Sequence, residues 1–319
     1  MKKIFLIIAS IATMALPSMA ERFELIPFGD FNSWVTRRIP ESGVIGGNTK
    51  TLYEVGPERT INGAVAYSNL GGSPWATSNV YAKVMGVKKA SCAVEPDIRS
   101  GKDKCAKLMA KMEHVKAIGI INMDVMVGGS MFLGRMFEPI TSTSNPYKKM
   151  EVGIPFTSRP KALRFDYKVA MPEADTRTYS SGFSRKKTLQ GRDCAEVFVI
   201  LQRRWEDSDG NILAKRVATA RETFSRNAGW TNAHTLPLQY GDISSKSSST
   251  NYVPLYNSDK CYHAKNSKGK LVPVKEVGWD APDATPTHAV IMVSASSGEP
   301  YVATEGLTLW IDNVGFLYD

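Results

Sequence analysis

The chain has 319 residues, 43% of them hydrophobic and 22% charged, which is enough for one large β domain or two smaller ones. Lys and Arg number 40 against 31 Asp and Glu, giving a net charge of +9; such a balance suits acidic glycans or membrane surfaces, though more often it marks a solvated surface with Lys at strand edges. No recognised nucleic-acid-binding motif accompanies the charge, so nucleic acid is not an expected partner.

Lys2 and Lys3 precede an apolar run at 4–16, and Ser18-Met19-Ala20 forms a small-x-small cleavage site, so residues 1–20 read as a signal peptide. The run is short for a bilayer span, no later stretch is apolar enough, and no Cys follows the cut to accept a lipid. Residues 21–319 are then expected to be one exported domain in the periplasm, at the cell envelope or outside the cell. Cys92, Cys105, Cys194 and Cys261 suit an oxidising compartment. Three pairings are open, with Cys92–Cys105 and Cys194–Cys261 preferred as disulfides. The chain has no C-x-x-C, which argues against a zinc knuckle or a thiol-redox motif.

Residues 21–34 read as a strand that turns at Gly29-Asp30, and 51–55, 64–68 and 79–87 as short strands. Ser100 and Asp103 then stand at capping-box spacing, and Leu108, Met112 and Val115 recur at helical intervals. This predicts a small helical insertion within 88–117, covering a sheet edge or an open end, its Met-lined stripe packed in a core. The β pattern returns from Ile118. The glycines at 128–134 lack the Gly-Lys-Ser/Thr ending of a phosphate loop and fit close strand packing or a bulge. Leu163, Phe165, Tyr167 and Val169 alternate inward against Arg164, Asp166 and Lys168. Residues 196–205 and 212–219 flank Asp207-Ser208-Asp209-Gly210-Asn211 as a hairpin. Ile212 stands where an EF-hand requires Gly, so the tip is a turn and not a calcium loop.

The last 33 residues hold two β-rich runs. Ala289, Ile291 and Val293 alternate with His288, Val290 and Met292, both sets largely apolar, as in an inner strand covered on both faces. Leu307, Leu309 and Ile311 point one way, and Trp310, Asp312, Val314 and Phe316 the other. Asp312 thus lies in an apolar strand, where an unpaired charge costs several kcal/mol in rough terms, and it requires a cation or buried donors. Strands separated by turns, with one helix, describe a mainly β chain folded as an antiparallel β-sandwich. The two termini are expected to be neighbouring strands.

GIPFTSRPKALRFDYKV at 153–169, DCAEV at 193–197, HAVIMVSASSG at 288–298 and EGLTLWIDNVGF at 305–316, in this order, resemble the putative carbohydrate metabolism domain. That family consists of exported jelly-roll β-sandwiches found mainly in gut-type Bacteroidetes, and the likeness covers about 32–319. It implies a jelly roll and glycan handling at the cell envelope, and supplies no catalytic residue. A wider likeness links GDFNSW at 29–34 and LWIDNV at 309–314 to the end strands of carbohydrate-binding-module jelly rolls. Many of those hold a structural calcium, which implies a metal site at Asp30 and Asp312; the alternative is Asp312 paired with Arg or backbone donors.

Binding a poly- or oligosaccharide without catalysis requires flat aromatic rings with a hydrogen-bonding rim. Trp75, Tyr81, Trp230 and Trp279 are the expected platforms, Trp75 following Gly-Gly-Ser-Pro and Trp230 following Asn-Ala-Gly. The alternative is a glycoside hydrolase, which commonly needs two carboxylates about 5–10 Å apart. Glu138, Asp166, Glu196, Glu206 and Glu222 lie on predicted strands or edges without spacing that singles out a pair, so catalytic residues stay unassigned. His114, His234, His263 and His288 show no metal-ligand spacing, and H-E-x-x-H and G-x-S-x-G do not occur. A third class is an envelope assembly or adhesion module that binds another protein.

Overall fold

The computed structural model describes residues 21–69, 72–117, 119, 121–182, 184–258 and 261–319. The expected signal peptide, 1–20, lies outside them. Two large sheets carry the fold. In the first, Ile121–Gly128, Asp103–Ala117, Thr308–Tyr318, Ala162–Ala170 and Ala228–Pro237 lie in that order, with Arg22–Leu25 beside the C-terminal strand. In the second, His288–Ser294, Ala195–Glu206, Ile212–Phe224, Leu271–Trp279, His263–Lys265, Met150–Val152 and Ser130–Met136 follow one another. Ser130–Met136 also bonds His288–Ser294, so these seven strands close into a ring. The chain is the mainly antiparallel β-sandwich that its alternation predicts.

Strand alternation decides where each side chain goes. Val197, Val199, Leu201, Ala289, Ile291 and Val293 are fully buried in the main core, with Leu163, Phe165, Leu309 and Ile311 of the other sheet. Their neighbours Phe198, Ile200, Val290 and Met292 turn the other way, onto Phe132, Met150 and Val152, in a second core. Ala195–Glu206 and His288–Ser294 are therefore apolar on both faces, as expected for inner strands. The Asp207–Asn211 hairpin forms as expected: the Asp207 amide bonds the Asn211 carbonyl at 3.0 Å, and Gly210 takes φ +85°.

The termini are neighbours. Arg22 pairs with Tyr318 and Phe23 with Leu317, antiparallel. The chain then crosses to Val314, whose amide donates to the Gly29 carbonyl at 2.9 Å.

Three expectations are corrected. The helix is a strand: Val94–Ser100 and Asp103–Ala117 form a hairpin, Ser100 opposite Asp103, with Gly101 at φ +59° in the turn. Ala106, Leu108, Ala110 and Met112 face the main core at every second position. Leu108 and Met112 satisfy both a period of two and a helical spacing, and partner strands on either side settle the choice. Next, Val314 and Phe316 point into the same core as Leu309 and Ile311. Asn313, at φ +50°, sits where the register slips between Arg164–Gly315 and Asp166–Asp312, and this bulge reverses the alternation.

Last, none of the four cysteines forms a disulfide. Cys105 pairs with Asp97, five residues beyond Cys92 on the adjacent strand. That is about 16 Å at strand rise, far beyond the roughly 7 Å that a disulfide spans. Cys194 precedes one end of Ala195–Glu206 and meets Ser297 Oγ at 2.9 Å. Cys261 Sγ donates to the carbonyl of Val274, which pairs with Ile212 at that strand's far end.

A candidate saccharide cleft

The residues singled out from the sequence do not converge. Trp75 is 1% exposed, its indole N–H donating to the Pro27 carbonyl at 3.1 Å and its ring edge-on to Phe31. Tyr81 is buried against Ile39, Leu52 and Ala90. Trp230, half-buried on Ala228–Pro237, is covered by the Arg99 guanidinium 4.6 Å from its ring centre. Trp279 lies near Tyr252 and the Arg216 guanidinium. None of the four lines the clefts described below.

Asp312 is 4% exposed and its charge is met by a cation of the chain itself. Arg99 Nη1 bonds both Asp312 and Asp166, the latter at 2.6 Å, and Asn313 Nδ2 reaches Asp166 at 2.8 Å. Burial drives Asp312 above the usual carboxylate range despite Arg99. Burial pushes Asp166 the same way, but donors from Asn313, the Ala233 amide and Arg99 outweigh it and hold that carboxyl low. Asn32 Nδ2 lies 3.5 Å from Asp30 Oδ2. Among the described residues, no group of three or more His, Cys, Asp or Glu is arranged to hold a metal ion.

A cleft of about 760 Å³ opens instead at the Glu196 end of the seven-stranded ring. Glu196 and Phe198 share the face opposite the main core, so the start of Ala195–Glu206 presents a carboxylate to this space. Arg221 stands opposite Phe198, diagonal to Glu196, and its Nε donates to Glu196 Oε2 at 2.9 Å. Burial raises the Glu196 carboxyl despite that guanidinium. Glu299 stands exposed on the same cleft.

Tyrosines from three separate segments wall it. Tyr147 stands on a 3-10 turn, Pro146–Lys149, whose cap Asn145 accepts from the Tyr147 amide at 3.0 Å. Tyr256 and Tyr262 meet edge-to-face at 5.1 Å, Tyr147 lies 5.7 Å from Tyr262, and Tyr301 comes from the loop before the last strand. Burial lifts the hydroxyls of Tyr256 and Tyr301 to about 12 and pushes that of Tyr147 upward. All three stay protonated at neutral pH, able to donate as well as accept.

The Tyr256 segment is held from beneath. Arg216 and Glu276 form an ion pair with no side-chain exposure. Arg216 also donates to the carbonyls of Val253 and Pro254 at 2.7 and 3.0 Å, and Glu276 accepts the Tyr256 amide at 2.8 Å. The cleft runs into an apolar chamber of about 300 Å³ walled by Val80, Val87, Val115 and Met123, sharing Tyr147, Glu196, Tyr262 and Tyr301 with it. Of this site only Glu196 stood among the sequence candidates. The tyrosines lie in loops too far apart in the chain for spacing to join them.

Several solved chains resemble this one, among them two from Bacteroides. One is a putative glycoside hydrolase from Bacteroides thetaiotaomicron VPI-5482, 20% identical with a TM-score of 0.45, covering 86% of this chain and 76% of that one. The other is a putative glycoside hydrolase from Bacteroides vulgatus ATCC 8482, 16% identical with a TM-score of 0.42, covering 70% and 76%. No curated protein matches. The family model described as "Putative carbohydrate metabolism domain" matches residues 49–317. With most of the chain under that match, the protein belongs to the putative carbohydrate metabolism domain family.

Proposed function

We propose that the protein binds an oligosaccharide in the tyrosine-walled cleft beside Glu196, as a recognition protein for glycan handling at the cell envelope. The observation that carries this reading is the convergence of Tyr147, Tyr256, Tyr262 and Tyr301 on a space that also holds the Glu196–Arg221 pair. Sugars need aromatic faces for their C–H surfaces and charged or amide groups for their hydroxyls; the cleft offers both. Its volume of about 760 Å³ lies within the range of ordinary ligand pockets. The envelope setting rests on residues 1–20 and on the family likeness.

On a glycan array the wild-type protein is expected to retain a defined oligosaccharide class. Tyr256→Ala is expected to weaken that binding about tenfold, since one stacked ring is worth on the order of 1 kcal/mol or more. A folded Tyr256→Ala protein with undiminished retention would remove the cleft from consideration.

One observation favours hydrolysis as a second reading. Glu196 is 7% exposed with its carboxyl raised by burial, and Glu299 lines the same cleft, so a carboxyl held above its ordinary range stands within a space that holds a second carboxylate. Reducing ends released by the wild type from the retained glycan, and lost in Glu196→Gln, would establish it. Retention without release leaves the binding reading standing alone.

A further inference from the structure

A second cleft, about 620 Å³, lies at the opposite end of Ala195–Glu206, and the glycan reading makes no use of it. Arg204, Arg135, Lys265, Glu151, Glu206 and His288 line it. Arg204 is the unusual member. Its Nε donates to Gln202 Oε1 at 2.8 Å, but its Nη2 is sealed from solvent and has no hydrogen-bond partner. Burial draws this guanidinium down to about 10, against the pull of Glu276 and Glu151. A guanidinium nitrogen sealed from solvent without an acceptor is costly in any fold.

The carboxylates of the cleft bond other donors and leave Arg204 Nη2 without an acceptor. Glu151 is engaged by Arg135 at 3.4 Å and by the Lys265 amide at 3.4 Å. Glu206 accepts the Ser267 amide and hydroxyl, both at 2.7 Å. His288 is pushed down to about 4 by burial and by Arg204, so it is a neutral wall of the cleft at neutral pH. Gly153 makes room for the guanidinium: a Cβ there, at φ +97°, would lie 2.6 Å from Arg204 Nη2. Trp205, 39% exposed, stands beside the opening.

We infer that this cleft binds a single oxyanion, a carboxylate or sulfate group, which supplies the acceptor that the Arg204 guanidinium lacks, with Arg135 and Lys265 adding positive potential. The group comes either as a free ion or on an acidic sugar whose ring rests on Trp205. Guanidinium is the side chain best matched to the two-oxygen edge of either anion.

The test is calorimetric titration of the full chain with sodium sulfate, glucuronate and a uronate-bearing disaccharide, at constant ionic strength set with chloride. Saturable sulfate or glucuronate binding is expected, with a matching rise in melting temperature. A disaccharide bound at least about tenfold more tightly than glucuronate identifies a sugar-borne anion, and equal affinities identify a free one. Arg204→Gln is expected to weaken every anion at least about tenfold, the loss of a charge-assisted contact. It should also melt no lower than the wild type in chloride, because it removes a charged group whose Nη2 is sealed without an acceptor. Lys265→Ala, at an exposed position, should weaken binding by a smaller factor without touching the fold. An adventitious ion only, meaning equal affinity in wild type and both variants, would overturn the site. Absence of saturation in the wild type, or marked destabilisation by Arg204→Gln in chloride, would overturn it as well.

Discussion

Replacing Glu276 with Ala is expected to cost about 3–5 kcal/mol of stability, the usual penalty for breaking a buried ion pair from one side. The side chains of Glu276 and Arg216 are both 0% exposed, so the bared guanidinium has no water to turn to. Four hydrogen bonds to Glu276 are lost together: from Gln202 Nε2 at 2.7 Å, Arg216 Nε at 2.9 Å, Arg216 Nη2, and the Tyr256 amide at 2.8 Å. Against a total stability of about 5–15 kcal/mol, this is a large share. At roughly 2–4 °C per kcal/mol for a large domain, the melting temperature should fall by about 10 °C. The double variant Glu276→Leu with Arg216→Met removes both charges and should recover much of the loss. Thermal melts of the three proteins measure this. Equal melting of wild type and Glu276→Ala would deny that the pair holds the ring together.

Arg37→Ala is the second large effect. Arg37 is 1% exposed and lies between two buried carboxylates, with Nη1 at 2.8 Å from Glu54 and 3.0 Å from Glu138. Nη2 bonds Glu138 and the Val65 carbonyl, the latter at 3.2 Å. Without the cation, Glu54 and Glu138 face one another in the interior, and about 3–5 kcal/mol is again expected. The pH dependence has a definite sign. Burial raises Glu54 from 4.5 to about 8, against the pull of Arg37. The folded state therefore binds a proton that the unfolded state releases. This favours folding fully below about 4.5, and the contribution is lost as pH rises toward 8. Removing Arg37 takes away a factor that lowers Glu54, so the defect should be largest near pH 8 and smaller near pH 5, where the carboxyl is protonated. Denaturant melts at those two pH values check it; a defect that grows on acidification would contradict the assignment.

Much of the framework was legible wherever one periodicity stood alone. The double apolar face of His288–Ser294, the inward set Leu163, Phe165 and Val169, and the Asp207–Asn211 turn all follow from period-two alternation and turn chemistry. Where two patterns fitted the same residues, local reading failed: Leu108 and Met112 serve a helix or a strand equally, and partner strands decide. A bulge is invisible to a fixed period, so Asn313 turned Val314 and Phe316 to the unexpected side.

The candidate site was legible only in Glu196. Trp75 follows a Gly-Gly-Ser-Pro loop, yet that loop feeds directly into the buried strand Trp75–Thr77. The need of Asp312 for a partner could be read from its apolar strand; the identity of that partner, Arg99, comes from a hairpin more than two hundred residues earlier. Tyr147, Tyr256 and Tyr301 are brought together by ring closure and by the Arg216–Glu276 anchor, which are properties of the assembled fold.

The cleft reading meets its most direct test in a crystal structure of the protein soaked with the oligosaccharide that it retains. Density for a sugar ring is expected against Tyr256 or Tyr301, with a hydroxyl within hydrogen-bond distance of Glu196 or Arg221. Density stacked instead on Trp230 or Trp279, with the tyrosine cleft empty, would contradict it.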